Sequence, residues 1–170
     1  RLYSRREATN KLANSAHKFG EIRHKDTHAI VVPQTGSERR KYLPIGYVNK
    51  DTVVSNAARV VYNAEPWLLG ILLSYIHMIW VRTVSGRLKT DMQYSNTLSY
   101  NTFPFPKISQ TQKEKIEELV NIILDERDKE YLKTLAELYD PDKMPDGLKK
   151  AHEKLDLYIE TIYRDKPFSS

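Results

Sequence analysis

The stretch Ser85-Gly86-Arg87-Leu88-Lys89-Thr90-Asp91-Met92-Gln93-Tyr94-Ser95-Asn96 carries a regular alternation of side chains. Four residues fall on one side of this pattern, namely Leu88, Thr90, Met92 and Tyr94. Lys89, Asp91 and Gln93 fall on the other side. A period of two predicts a half-buried β-strand, because successive side chains of a strand point to opposite faces. The stretch therefore predicts one strand with a polar outward face.

The three outward side chains differ in hydrogen-bonding character. The Lys89 ammonium only donates, the Asp91 carboxylate only accepts, and the Gln93 amide does both. Such groups distinguish the edges of base pairs in the major groove of DNA, which is wide enough to admit a two-stranded ribbon. We interpret the face as a candidate for base readout. The alternative is an ordinary solvated face on which Lys89 and Asp91 form a surface ion pair, which would contribute little to stability.

Composition restricts the class of protein. The chain has 170 residues, 40% hydrophobic and 29% charged, as in soluble globular proteins with a real core. It has no cysteine, which excludes disulfides, thiolate metal sites and a cysteine nucleophile, and fits a cytoplasmic location. The net charge of +5 makes a polyanion a plausible partner. The chain begins at Arg1 without a signal peptide, and we expect it to be a piece of a longer polypeptide.

Secondary-structure signals change along the chain. Residues 1–28 contain a run of helix formers, and residues 29–106 contain several short β-branched runs. Within them, the apolar segment from Pro66 to Val81 predicts one buried helix and is too short to span a membrane. A further strand, which ends in two prolines, is predicted from Ser99 to Pro106.

The part after Pro106 has a helical pattern. Ser109 and Gln112 predict a capping box, and apolar residues then recur at helical spacing in two segments of residues 107–170. The predicted fold is therefore α+β: a small irregular mixed β-sheet around one buried helix, followed by a C-terminal helical subdomain. We expect this subdomain to pack against the sheet and its helix.

Five cations are candidates for contact with DNA phosphates: Arg39, Arg40, Lys41, Arg82 and Arg87. The first three are consecutive in a loop, where the alternative is a solvated cluster. The other two flank the end of the apolar helix, where the alternative is a guanidinium that binds the last carbonyl groups of that helix.

Catalytic signatures are absent from the sequence. We find no glycine-rich cofactor turn, no Asn/Asp-Pro-Pro-aromatic loop of an amino-group methyltransferase, no phosphate-binding loop and no serine nucleophile elbow. His24, Asp26 and His28 lack the further ligands of a metal site, so no metal is expected. His77 and His152 lie on apolar helix faces and are interpreted as structural, with Asp156 one turn from His152 as its candidate partner.

Several segments match, in order, those of a known family. In the first part they are Tyr42-Leu43-Pro44-Ile45-Gly46, Val54-Ser55-Asn56, Leu73-Ser74, His77-Met78, Trp80, Ser85-Gly86-Arg87-Leu88, Tyr94-Ser95-Asn96 and Tyr100-Asn101-Thr102-Phe103-Pro104. In the second part they are Leu135-Ala136-Glu137-Leu138-Tyr139-Asp140, Met144-Pro145 and Ala151-His152-Glu153-Lys154-Leu155-Asp156. The chain thereby resembles the target-recognition domain and the C-terminal helical region of the MmeI-like type IIL restriction–modification and adenine-specific DNA methyltransferase family.

The resemblance implies a division of labour within a longer polypeptide. In that family an endonuclease domain, an adenine-N6 methyltransferase domain and this DNA-reading domain are joined. Double-stranded DNA and the catalytic methyltransferase domain are the implied partners, and no membrane is involved. S-adenosylmethionine, and Mg²⁺ for cleavage, are expected in the missing part and not in this chain. Residues 1–28 would be a connector from the catalytic domain, 29–106 the recognition domain and 107–170 the C-terminal region.

The resemblance to the family also implies which residues of this chain contact the DNA bases. They are the residues just after the Gly-Arg element, here Lys89, Asp91 and Gln93, and a position after Ser55-Asn56, here Ala57. Lys89 can donate to guanine and Asp91 can accept from the paired cytosine, and on one strand face their Cα atoms would be about 7 Å apart. We therefore predict a G·C pair read jointly by these two residues; Gln93 would suit an adenine.

Two other functions remain open from the sequence. The chain is alternatively a docking module, in which the apolar stripes of the C-terminal helices bind a catalytic domain or partner subunit. It is alternatively the recognition domain of a phage-defence DNA methyltransferase that lacks an endonuclease.

Overall fold

The computed structural model describes residues 5–11, 13 and 22–164 of the chain. The described helices and strands are α1 (Glu7–Lys11), β1 (Ala29–Pro33), β2 (Thr35–Gly36), β3 (Gly46–Val48), β4 (Ala58–Tyr62), α2 (Pro66–Leu73), α3 (Tyr75–Val84), β5 (Gly86–Leu88), β6 (Asp91–Gln93), a π-helix (Asn96–Tyr100), α4 (Gln110–Asp128), α5 (Leu135–Leu138) and α6 (Asp146–Tyr163). Most of the first predicted helix lies outside the described residues. The α+β class is confirmed.

The strands form two small antiparallel sheets. In the first sheet the order is β3-β1-β4, and β1 is its buried central strand. In the second sheet the order is β2-β6-β5. Only Gln34 separates β1 from β2, so the chain passes directly from one sheet to the other. The predicted single mixed sheet is wrong, because a two-residue strand such as β2 has too few side chains to show a pattern.

The apolar segment forms two helices instead of the predicted one. Ser74 has an extended backbone (φ −70°, ψ 154°), and its hydroxyl accepts a 3.3 Å hydrogen bond from the His77 N–H at the start of α3. A serine in this conformation is a good N-cap, which the apolar composition around it conceals. No single helix among residues 5–11 and 22–164 is long and apolar enough to cross a membrane; α2 and α3 reach that length only together, across a 62° bend.

The C-terminal helices bury their apolar stripes against the rest of the chain. The predicted capping box of Ser109 and Gln112 is confirmed at the start of α4. The stripes that enter the common core are Ile116, Leu119, Val120 and Ile123 on α4 and Leu148, Ala151, Leu155 and Ile159 on α6. Gly70 of α2 allows a close approach, because a Cβ atom there would overlap Ile116 and lie 2.9 Å from Val120. We call the packing of α2, the start of α3 and residues 42–45 against α4 and α6 the buried interface.

A carboxylate ties the buried interface together. The Tyr42 hydroxyl and the Tyr75 backbone N–H donate hydrogen bonds of 2.7 Å each to the two oxygens of Asp156. Asp156 is only 9% exposed. Burial raises the pKa of its carboxyl group to about 6, although both hydrogen bonds act against this shift.

A buried guanidinium makes the second polar connection. Arg127 donates to the Ile45 carbonyl oxygen (3.0 Å) and to the Tyr139 hydroxyl, which in turn donates to His152 Nε2 at 2.6 Å. Burial, helped by the Arg127 charge, lowers the pKa of His152 to about 3, so the ring is neutral. His152 therefore has a structural environment, but its partner is Tyr139 and not the predicted Asp156.

Residues 86–93 form a hairpin and not the predicted single strand. β5 and β6 pair through Gly86↔Gln93, Arg87↔Met92 and Leu88↔Asp91, and the chain reverses at residues 89–90. The strand predicted from Ser99 to Pro106 is also wrong. The π-helix occupies the start of that segment, and the prolines that follow keep its end out of a sheet.

Candidate nucleic-acid interface

Two buried side chains anchor the hairpin to the core. Met92 and Tyr94 are 1% and 3% exposed. His77 Nδ1 lies 2.8 Å from the Leu72 carbonyl oxygen and so carries the proton, which leaves Nε2 to accept from the Tyr94 hydroxyl at 3.2 Å. Burial lowers the pKa of His77 to about 4, so this arrangement of a neutral ring holds near neutral pH. The base of the hairpin is thus fixed.

Cross-strand pairing determines which side chains point away from the core. Residues directly opposite in an antiparallel pair share a face. Arg87 and Met92 therefore share the core-side face, while Leu88, Asp91 and Gln93 belong to the opposite face. We call that opposite face, together with the turn at residues 89–90, the hairpin face. The predicted alternation holds for residues 91–94, but Leu88 is 61% exposed and Thr90 is exposed as well, against prediction.

Lys89 occupies the turn and not a strand. Its φ of 56° lies in the left-handed region, which side chains other than glycine rarely adopt. The premise that Lys89 and Asp91 stand on one strand face is therefore wrong, although the turn keeps them two residues apart. Within the described residues neither side chain forms a hydrogen bond or an ion pair. The alternative of a Lys89–Asp91 ion pair is thus not realised, and both groups are available to a ligand.

Gln93 is less free than the sequence suggests. It is half-buried, and its Nε2 donates a 3.0 Å hydrogen bond to the Thr35 hydroxyl across the β2–β6 pair. Thr35 is exposed beside it on the same face. The two-residue strand that contains Thr35 carries no sequence pattern that would have assigned this residue to the hairpin face.

Ala57 lies next to the second sheet although it precedes β4 of the first. Its side chain is exposed, and its carbonyl oxygen accepts a 3.0 Å hydrogen bond from the Gln34 N–H. The Gln34 carbonyl oxygen accepts from the Tyr94 N–H at 2.7 Å. Gln34 therefore links the backbone of Ala57 to that of Tyr94, the residue after Gln93. A cavity of about 620 Å³, lined in part by Ser55, Asn56 and Arg59, opens beside Ala57.

The cations at residues 39–41 contact the C-terminal region. Arg39 pairs with Asp142 at 2.7 Å, Arg40 donates to the Ala136 carbonyl oxygen at 3.1 Å, and Lys41 lies 3.8 Å from Glu153. Their assignment to phosphates is not tested by these contacts, since the Arg39 side chain is still 67% exposed. The contacts do give each cation a role within the chain, which the sequence did not indicate.

Arg82 and Arg87 support loops beside the hairpin. Arg82 donates to the Glu38 and Arg40 carbonyl oxygens at 3.2 and 2.8 Å. Arg87 donates to the Thr90 carbonyl oxygen of the turn (3.0 Å) and to the Arg82 carbonyl oxygen at the end of α3 (3.4 Å). Binding of helix-end carbonyls was the alternative reading for these residues. Together with Arg39 and Glu38, both also line an open depression of about 360 Å³.

No metal site is formed by the histidines and carboxylates of residues 5–11 and 22–164, where no three of them come together. The interface is instead a polar hairpin with cationic loops at its side.

Comparison with known proteins identifies the family of the chain. The family model for "MmeI, target recognition domain" matches residues 1–107, and that for "MmeI, C-terminal domain" matches residues 108–170. The chain belongs to the MmeI family. DNA methyltransferase A of Bacillus subtilis (strain 168) is 51% identical over 164 residues, which is 96% of this chain and 18% of that protein.

A solved structure extends the comparison to three dimensions. The type IIL restriction–modification enzyme MmeI, determined in complex with DNA, matches 100% of this chain and 23% of its own, with a TM-score of 0.92 and 39% identity. The chain thus spans less than a quarter of either relative. The resemblance stated from the sequence motifs is confirmed for both halves of the chain.

Proposed function

We propose that this chain selects the base sequence at which a larger DNA-modifying protein acts. The observation that carries the proposal is the hairpin face, where Lys89 and Asp91 lie free while Met92 and Tyr94 fix the strand behind them. Membership of the target-recognition family, and the match to a relative solved with DNA, support the same conclusion. A hairpin is a two-stranded ribbon, and the major groove is wide enough to admit one.

The chemistry of the free groups favours a G·C pair. The Lys89 ammonium donates to O6 and N7 of guanine, while the Asp91 carboxylate accepts from the N4 amino group of the paired cytosine. Each contact would contribute about 1–3 kcal/mol of discrimination. Gln93 would contribute an adenine contact only by exchanging its Thr35 partner, and Ala57 would contribute contact through its methyl group.

The five cations would provide binding that does not depend on sequence. Arg39 and Arg87 are the strongest candidates, because both line the open depression and their side chains are 67% and 43% exposed. Loss of one phosphate contact should weaken binding to all sequences alike and reduce the slope of log affinity against log salt by about 0.9. Binding titrations of Arg39→Gln at two salt concentrations test this; an unchanged slope would leave Arg39 with only its Asp142 contact.

The reaction itself would belong to the remainder of the protein. We propose an adenine-N6 DNA methyltransferase that uses S-adenosylmethionine, joined or not to a Mg²⁺-dependent endonuclease, and located in the cytoplasm. The names of the two relatives support methylation and restriction–modification in general. The DNA-reading function is favoured over the docking alternative, because the apolar stripes that suggested docking enter the core of this chain.

A selection experiment tests the proposed readout. The full-length protein and its Lys89→Glu plus Asp91→Arg variant, which keeps the net charge, are each used to select duplexes from a random pool. We expect the variant to prefer a different base pair at one position, with at least a tenfold loss on the original sequence. Lys150→Glu plus Asp128→Arg, an equal exchange at exposed positions of α6 and α4, is the control and should leave the selected sequence unchanged. Identical preferences for the hairpin variant would refute the proposal.

A further inference from the structure

Leu88 is an apolar side chain on the hairpin face with no place in the core. It is 61% exposed, whereas Met92 on the neighbouring strand is 1% exposed. Its register partner is Asp91, so the two side chains stand side by side on the face that points away from the core. The alternation of the sequence had placed Leu88 on the inward side. The reversal of the chain at residues 89–90 is what turns it outward.

The neighbourhood of Leu88 is otherwise polar. Lys89 and Asp91 flank it, and Thr35 and Gln93 occupy the same sheet face. Each of these has hydrogen-bonding groups that match base edges, while Leu88 has none. The major groove presents one apolar group, the C5-methyl of thymine, which apolar side chains contact. A 5-methylcytosine presents the same group at the same position of the ring.

We propose that Leu88 is a specificity-determining residue that reads a pyrimidine C5-methyl group next to the base pair contacted by Asp91. This inference rests on the proposed DNA recognition and adds an apolar contact to its polar ones. Shielding one methyl group from water corresponds to about fourfold in affinity, which is the discrimination expected against the same base without the methyl.

The methyl group can be removed from DNA without changing base pairing. Three random duplex pools are prepared, containing thymine, deoxyuridine in place of thymine, or 5-methylcytosine in place of cytosine. The full-length protein, its Leu88→Ala variant and its Leu132→Ala variant select from each pool. Leu132 is 84% exposed in the loop before α5, so its truncation is chemically equal and lies far from the hairpin in sequence.

If Leu88 reads a thymine methyl group, we expect the full-length protein to prefer thymine about fourfold at one position of the thymine pool. This preference should disappear in the deoxyuridine pool. For 5-methylcytosine, the expected result is a gain of the same size at one C position in the methylated pool. In both cases Leu88→Ala abolishes the difference between pools and Leu132→Ala retains it. A protein with equal preferences in all three pools would overturn the inference.

Two further outcomes separate this inference from the function on which it rests. If Leu88→Ala weakens binding to every pool alike, Leu88 packs against another part of the protein and the inference is overturned. If the pools are equivalent while the Lys89 and Asp91 exchange still changes the selected sequence, methyl reading is overturned and DNA recognition stands. Leu88→Asn provides a second variant with a side chain of similar size, and it should also lose the pool difference.

Discussion

The hairpin face and the buried interface treat polar groups in opposite ways. At the buried interface Asp156 accepts from Tyr42 and Tyr75, and Arg127 has Tyr139 and Ile45 as partners. A buried polar group without a partner would be costly, so each of these is satisfied within the chain. On the hairpin face the charged groups of Lys89 and Asp91 have no partner among the described residues. These two charged groups hydrogen-bond to solvent until a ligand replaces the solvent.

We infer from this difference that the buried interface contributes to stability and the hairpin face to recognition. The buried interface joins α2 to α4 and α6, and its contacts connect residues more than 80 positions apart in sequence, such as Arg127 and Ile45. The hairpin consists of two strands of three residues, attached to the core through Met92 and Tyr94. Substitutions on the hairpin face should therefore change specificity at little cost in stability, while substitutions at the buried interface should do the reverse.

Two glycines give the largest expected contrast. Gly70→Val should lower the free energy of unfolding by about 3 kcal/mol, because its Cβ alone would overlap Ile116 and lie close to Val120. Gly86→Val is the matched substitution on the hairpin, where a Cβ atom would meet no described atom within 4 Å. We expect it to change stability by less than about 0.5 kcal/mol. Denaturant unfolding of both variants measures this, and equal losses would show that the hairpin is as constrained as the interface.

The carboxyl group of Asp156 gives a smaller, pH-dependent effect. Its folded pKa of about 6 lies above the ordinary value of 3.8, so the folded state binds more protons between these values. Stability contributed by this group therefore falls as pH rises from about 4 to 6. Relative to Asp156→Asn, the wild type should lose on the order of 2 kcal/mol across that interval. Unfolding free energies of both proteins at pH 4, 5, 6 and 7 measure the difference.

The buried histidines act in the opposite direction and must cancel in this comparison. The folded pKa values of His77 and His152, about 4 and 3, lie below the ordinary 6.5. Their contribution to stability is present above pH 6.5 and is lost as pH falls. Both proteins contain them, so the difference between wild type and Asp156→Asn isolates the carboxyl group. A constant difference between wild type and Asp156→Asn across this pH range would contradict the assignment.

The difference between the buried interface and the hairpin also explains which structural features could be predicted from the sequence. The stripes of α4 and α6 follow a 3.6-residue period over several turns, and the capping box at Ser109 is a local signal, so the helices of residues 110–128 and 146–163 were predictable. The hairpin was not predictable from the sequence, because residues 89–90 are not one of the Asn-Gly or Asp-Gly pairs that are typical of a tight turn. Alternation continues across them by coincidence, and one strand was inferred where there are two.

The residues of the candidate site also differ in how well the sequence predicts their surroundings. Lys89 is exposed and Asp91 is half-buried beside it. A turn keeps residues that are near in sequence near in space, so even the wrong prediction of one strand grouped these two residues correctly. The partners of the cations, such as Asp142 and Glu153, are about 100 residues away and depend on tertiary packing. No local pattern identifies such partners. Thr35, which fixes the amide of Gln93, was missed for the same reason.

A smaller effect on stability than that of Gly70 or Asp156 is expected at Lys89, and it separates the contribution of the backbone from that of the side chain. A non-glycine residue in the left-handed region costs roughly 1 kcal/mol, so Lys89→Gly should leave the free energy of unfolding unchanged or raise it by up to about 1 kcal/mol, after the greater flexibility of glycine in the unfolded chain is counted. The same variant should lose discrimination at one base pair. Asn63→Gly is the control, since Asn63 also has a left-handed backbone (φ 53°) but lies before α2; it should keep the selected sequence. A marked loss of stability in Lys89→Gly would mean that the lysine side chain stabilises the turn, which would contradict its assignment to DNA contact alone.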